Sequence, residues 1–142
     1  MEYRNPSATA DIIIERNNQI LLIRRKHEPF KDMWALPGGF LEYGKETLEE
    51  TAVRELNEET GLRIKLDDIE MFGIYSNPDR DPRGHVISHV YIARNFNGQP
   101  IANDDAADVR FFQLGNLPEL AFDHEKILED YKSRRQLKGS SR

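Results

Sequence analysis

Two runs rich in β-branched and aliphatic residues open the chain, ATADIIIE and QILLIRRK, with the polar turn RNN between them. They read as the strands of a hairpin, Ala8 to Glu15 and Gln19 to Arg24. MWALPGG is a short apolar segment halted by Pro37, which cannot donate to a central ladder. IEMFGIYS and HVISHVYIAR are two further strands, separated by NPDRDPRG, a polar loop dense in Pro, Asp and Arg. VRFFQL supplies a late strand. HEKILEDYKSRR then changes to helical spacing, with Ile127, Leu128 and Tyr131 on its inner face. KGSSR reads as a disordered end, so the expected organisation is one domain over residues 1–135 and a tail over 136–142. No internal repeat or low-complexity tract interrupts it.

The longest predicted helix starts inside LPGGFLEYGKETLEETAVRELNEETGL. Thr47 followed by Glu50 makes a capping box, hydroxyl and carboxylate each satisfying the other's orphan amide. Gly61 suits the left-handed residue just past a helix end. The helix therefore spans Leu48 to Thr60, and Glu46 lies in the loop before it. At roughly 100° per residue, Leu48, Ala52 and Leu56 form one stripe. Glu55 and Glu59, one turn apart, fall beside Leu48 and Ala52, and Glu58 sits on the near shoulder. Arg54 reaches Glu50 or Glu58 at a spacing of four residues.

A run of Glu on a helix is ordinarily a solvated face, and that reading covers Glu49 and Glu50. It fits Glu55, Glu58 and Glu59 less well, since they converge on the margin of the buried stripe. Like charges at this spacing repel, and burial raises the cost sharply. A hard divalent cation is the simplest remedy, because carboxylate oxygens are what Mg²⁺ and Mn²⁺ prefer.

Composition narrows the classes further. A chain of 142 residues, 38% hydrophobic and 32% charged, suits one soluble domain with a real core. It has no cysteine, which excludes disulfides and thiolate metal sites. No apolar run reaches the length of a membrane span or a signal segment, so no membrane partner and a cytoplasmic location are expected. A formal charge of −5 argues against a nucleic-acid partner. It leaves room for a phosphorylated small molecule, since a bound cation reverses the local sign.

The Gly-Gly loop, Glu46 and then Arg54-Glu55-Leu56-Asn57-Glu58-Glu59-Thr60-Gly61-Leu62 resemble the Nudix box. The departure from that pattern is one extra loop residue, Lys45, between Gly39 and Glu46. The resemblance implies an α+β fold of the α/β/α sandwich type, built on a mixed β-sheet. It also implies a hydrolase of nucleoside diphosphates linked to another group. Glu55, Glu58 and Glu59, with the Gly39 carbonyl, would carry Mg²⁺ or Mn²⁺, and Glu46 would support the loop through Arg54. The metals would bridge the substrate diphosphate and activate water.

Beyond the box, RRKHEPFKDMWALPGGFLEYG, YSNPDRDPRGHVISHVY and NDDAADVRFF are similar to the small ADP-ribose pyrophosphatases of that superfamily. The resemblance makes Arg25, Arg80, Arg83 and His85 candidate contacts for a nucleotide substrate, with Arg24 the solvated neighbour of Arg25. Asp105 and Asp108, beside Asp104, are candidates for an extra acid or base. Trp34 reads as a packing residue, and His89 as structural. Homodimers are common in the resembled group.

Three functions compete. The first is hydrolysis of ADP-ribose to AMP and ribose 5-phosphate. The second is removal of oxidised nucleoside triphosphates of the 8-oxo-dGTP type, and the loop around Arg80 to His85 favours the first over it. The third is a sensor that binds ADP-ribose without cleaving it. Intact box carboxylates and the seven residues after Arg135, too few for a DNA-binding domain, count against the sensor.

Overall fold

In the computed structural model, which describes residues 3–140, the opening runs form β1 (Ser7–Arg16) and β2 (Gln19–Arg25). Asn17 and Asn18 turn the chain between them, both left-handed at φ 52° and 66°. Such a pair fits a tight hairpin whose twist matches its strands. The two strands pair only at Glu15–Ile20 and Arg16–Gln19, and then part.

Each strand finds other partners beyond that point. β1 takes β4 (Gly38–Phe40) antiparallel on one side and β6 (Val86–Ala93) parallel on the other. β5 (Ile69–Tyr75) adds to β6 as an antiparallel edge. β2 takes β3 (Trp34–Ala35) and β7 (Ala106–Gln113), both antiparallel. The mixed sheet expected from the sequence is thus a sheet split in two beyond its shared hairpin.

Successive β1 side chains point to opposite faces, and each face has its own helix. Ala10, Ile12 and Ile14 pack with Ala52 and Leu56 of α1 (Leu48–Thr60). Ile13 packs with Ile127, Leu128 and Tyr131 of α2 (His124–Ser140). This is the expected α/β/α sandwich.

α1 has its predicted ends: the Thr47–Glu50 capping box is formed, and Gly61 is left-handed at φ 76°. Pro37 does end β3, and its carbonyl accepts from the Ile12 amide (2.9 Å) just before β4 begins. β7 starts at Ala106, earlier than VRFFQL, because Arg25 pairs with Ala106 across a register shift. α2 continues to Ser140, past the expected boundary at residue 135. Its later turns are tied to the sheet by Arg134 over the Phe72 ring (5.0 Å) and Arg135 to Glu15 (3.0 Å). Of the expected tail, residues 141–142 lie outside the described residues. Among the described residues, no helix is long and apolar enough to cross a membrane.

Candidate active site

A cleft of about 340 Å³ opens where β1 and β2 part. Its acidic side is built from β4 and α1. Pairing sets Gly38 opposite Asp11 and Gly39 opposite Ala10. A Cβ on Gly38 would lie 2.2 Å from Asp11 Oδ1 and 2.4 Å from the Ala10 carbonyl oxygen. A Cβ on Gly39 would lie 2.4 Å from the carboxyl carbon of Glu55. Only glycines let this strand pass between the two carboxylates.

Glu59 is buried, and its Oε1 accepts from the Gly38 amide (2.8 Å). Burial pushes its carboxyl well above the usual range, and nearby Glu55, Asp11 and Asp105 push it the same way. Burial also raises Glu55 to about 7, against the opposing pull of Arg54.

Arg54 is the hub of this side. Its Nε and Nη2 donate to Glu46 (2.9 and 2.7 Å), while Nη1 donates to Glu55 (2.8 Å) and Glu58 (3.1 Å). Nη2 also donates to the Phe40 carbonyl (3.1 Å). Glu46 is held at about 2, chiefly by Arg54. Of the two partners expected for Arg54 along the helix, Glu58 is engaged and Glu50 is instead spent on the cap.

The extra loop residue is absorbed in an exposed turn closed by Lys45 N–H to the Glu42 carbonyl (3.1 Å). Glu46 still reaches Arg54 with both oxygens. Glu49 is exposed as expected, and it also accepts from the Tyr91 hydroxyl (2.8 Å).

Glu55, Glu58 and Glu59 do not converge on one point. Among the described residues, no three acidic or histidine side chains stand gathered at ligand spacing. The reason is visible in the bonds: Arg54 draws Glu55 and Glu58 to itself, and Gly38 draws Glu59. Glu55 and Glu59 line the cleft and Glu58 does not, but the donors are all hard oxygens beside a cleft with excess negative charge. That chemistry fits Mg²⁺ or Mn²⁺ and no softer ion.

The opposite wall is basic and aromatic. Arg25 lies over the Phe122 ring at 5.0 Å, and Arg83 lies near the same ring at 5.5 Å and over Phe40 at 4.8 Å. Arg25 Nε donates to the Pro29 carbonyl (2.7 Å), and Arg83 donates twice to the buried Asp81 (3.1 and 2.8 Å). Burial, and then the neighbouring Arg83, lower the proton affinity of Arg25. Both guanidiniums thus line the cleft beside one aromatic ring, with the charge of Arg83 shared with Asp81. Arg24 is turned away, toward Asp32 (3.7 Å).

Three sequence expectations need correction. Arg80 lines the cleft but is not a free substrate contact: its guanidinium is buried and grips Asp123 through two bonds (2.9 and 2.7 Å), with a third to the Val86 carbonyl. It clasps the loop to the start of α2. His85 lies outside the cleft, its Nε2 donating to the Ser76 carbonyl (2.9 Å). Asp108 is also outside, bound to the Val109 amide and Arg110 within its own strand (2.8 and 2.9 Å).

Asp105 does line the cleft, 3.5 Å from His27. Trp34 is a packing residue, edge-on to Phe112 at 4.8 Å, and His89 bonds the Thr9 carbonyl (3.1 Å). The sequence reading missed Asp11, Asp81, Phe122 and His124, all cleft residues. Asp11 left one signal, a lone acid inside the apolar run ATADIIIE. Phe122 and His124 left none, being far along the chain from the box.

The chain is similar to several known proteins. The NUDIX domain model matches residues 5–131. An ADP-ribose pyrophosphatase from Methanocaldococcus jannaschii is 57% identical over 129 residues, covering 91% of this chain and 75% of that protein. The NUDIX domain of Shewanella oneidensis NrtR, solved with ADP ribose, superposes with a TM-score of 0.80 at 30% identity, covering 93% and 90% of the two chains. A bifunctional NMN adenylyltransferase/ADP ribose pyrophosphatase from Francisella tularensis, solved with AMP and a Mn ion, gives 0.80 at 32% identity. The match covers 94% of this chain but 43% of that one.

Two predictions follow the geometry of the acidic side. Gly38→Ala meets main chain that cannot yield and should unfold the protein at lower urea than Gly39→Ala. Gly39→Ala meets only the end of the Glu55 side chain, which must give up its Arg54 bond to move, so it should cost less stability than Gly38→Ala while losing most activity.

Glu46→Gln should cost about 1.5–3 kcal/mol at pH 7, the range for hydrogen bonds to charged groups. Glu46 is depressed in the folded state, so its contribution is full above its ordinary pKa and fades as pH falls toward about 2. Urea titrations of both proteins should therefore converge in acid; a gap that persists there would rule out the ionic account.

Proposed function

The chain belongs to the Nudix family, and on that premise we propose that it is a divalent-cation-dependent pyrophosphohydrolase splitting ADP-ribose into AMP and ribose 5-phosphate. The observation that carries this reading is the pairing, in one cleft, of the carboxylates of α1 with the Arg25–Phe122–Arg83 wall. A diphosphate needs both: oxygen donors that hold its counter-cation, and guanidiniums that bind its own oxygens. Likeness to the Methanocaldococcus enzyme supports ADP-ribose as the substrate.

In the hydrolysis, a water oxygen bonds to one phosphorus as the bridging P–O bond breaks, leaving one phosphate on each product. Glu55, Glu58 and Glu59, with the Gly39 carbonyl, are the groups that would hold the cation. When bound, the cation supplies Lewis-acid neutralisation of the diphosphate charge.

The protein's own contribution is positional. Arg54 fixes the rotamers of Glu55 and Glu58 and is itself anchored by Glu46. The Gly38 amide fixes Glu59. Arg25 and Arg83 orient the substrate, and Asp105, one of the cleft acids near Arg25, is the candidate base for the attacking water.

A substrate panel with Mg²⁺, resolved by chromatography, tests the assignment. ADP-ribose should give AMP and ribose 5-phosphate, with kcat/KM far above that for 8-oxo-dGTP, and chelation should abolish turnover. Faster cleavage of the oxidised triphosphate, or tight binding of ADP-ribose without cleavage, would replace the proposal.

Glu59→Gln should lose at least about two orders of magnitude in kcat, as when a main electrostatic stabiliser is removed. Glu49→Gln, outside the cleft, should stay close to wild type. Equal activity in these two variants would remove α1 from the chemistry.

Replacing Arg25 and Arg83 together with Ala should raise KM much more than it lowers kcat, the mark of binding shared by ground and transition states. A double variant with unchanged KM would make the basic wall a packing feature.

A further inference from the structure

The floor of the cleft holds two polar side chains that the hydrolysis leaves unused: Asp11 from β1 and His124 at the start of α2. They are 8% and 3% exposed, and both line the cleft. The Leu36 amide donates to His124 Nδ1 (3.0 Å), so that nitrogen carries no proton. Burial disfavours the charged imidazolium and keeps the ring neutral. Its one proton therefore sits on Nε2, which has no protein acceptor among the described residues.

At Asp11, the hydroxyls of Ser88 and Thr9 both donate to Oδ2. Oδ1 lies against Gly38 and receives no donor among the described residues. Asp11 is the charge that His124 feels most strongly. A donor and an acceptor without protein partners among the described residues thus line the same cleft.

The geometry points to a sugar-hydroxyl subsite, in which one ribose hydroxyl accepts from His124 Nε2–H and donates to Asp11 Oδ1. A hydroxyl is the group that does both at a single atom. Phosphate is refused there, because Asp11 repels it and adds to the negative field around Glu59. A purine edge also presents a donor beside an acceptor, but it needs a ring-wide slot. The aromatic ring beside His124 is Phe122, 5.4 Å away, and it is already engaged by Arg25 (5.0 Å), Arg83 (5.5 Å) and Phe30 (4.8 Å); the aliphatic walls add little, with Ile23, Ala35 and Leu36 2% exposed and Val86 4%. Asp11 and His124 are then specificity determinants that hold the sugar away from the reacting phosphorus. The choice of ribose rests on the ADP-ribose reading above.

Two variants test the subsite. Asp11→Asn removes the charge while keeping shape and a partner for Ser88. His124→Asn keeps an acceptor for the Leu36 amide but withdraws the donor from the cleft. Each should raise KM for ADP-ribose about tenfold or more, equivalent to about 1.4 kcal/mol, with kcat within threefold and the melting temperature unchanged.

Calorimetric binding of AMP and of ribose 5-phosphate to the same proteins then locates the sugar. A loss confined to AMP assigns the adenosine ribose, and a loss confined to ribose 5-phosphate assigns the terminal one. Three results would overturn the subsite: unchanged KM in both folded variants, a fall in kcat at constant KM (Asp11 acting through Glu59), or an AMP loss not shared by inosine monophosphate, which moves the contact to the base. Failure of the wild type to cleave ADP-ribose would instead defeat the proposed reaction, since product binding is measured without turnover.

Discussion

Most of the acidic side of this protein depends on one guanidinium. Arg54 donates to Glu46, Glu55, Glu58 and the Phe40 carbonyl, and so holds together a loop, a strand and a helix face that would otherwise repel. The planar fork is what makes this workable: two donors meet both oxygens of Glu46 while a third nitrogen serves the helix acids. A lysine in its place would offer a point charge and lose the geometry. The same interaction explains why an extra loop residue is tolerated. Glu46 is fixed by where Arg54 is, and the spare residue bulges into solvent.

A second constraint is the parting of β1 and β2. Two strands that stayed paired along their length would bury their backbones in each other and leave no cleft. Because they separate after two residue pairs, β1 is free to take β4, and the Gly38–Gly39 backbone is brought between Asp11 and Glu55. The glycines serve different neighbours, one mostly main chain and one a side chain, which is why they are not equivalent in energy. The cleft is a product of sheet topology, and its acids are a product of helix register.

On the basic side, order comes from a clasp in the cleft wall itself, where Arg80 is a lining residue. Arg80 and Asp123 bind the loop before β6 to the residue preceding α2. That fixes the neighbouring Phe122 and His124, and with them the stacking surface for Arg25 and Arg83 and the polar floor beside Asp11. A residue expected to hold substrate instead ties together two segments that line the cleft.

What the sequence determined by itself was local. The limits of α1, its capping box and the position of Glu55, Glu58 and Glu59 beside the apolar stripe follow from helical periodicity and cap chemistry within a few residues. So does the hairpin turn, where only left-handed conformations complete a tight reversal. Tertiary structure alone decided which polar residues meet across long separations. Asp11, Asp81, Phe122 and His124 share a cleft because β1, the loop before β6 and the start of α2 are brought together, and no spacing along the chain encodes that. It also decided the fate of Arg80, His85 and Asp108. An arginine in a loop is equally able to bind a ligand or an internal carboxylate, and the outcome depended on Asp123 standing within reach at the head of α2.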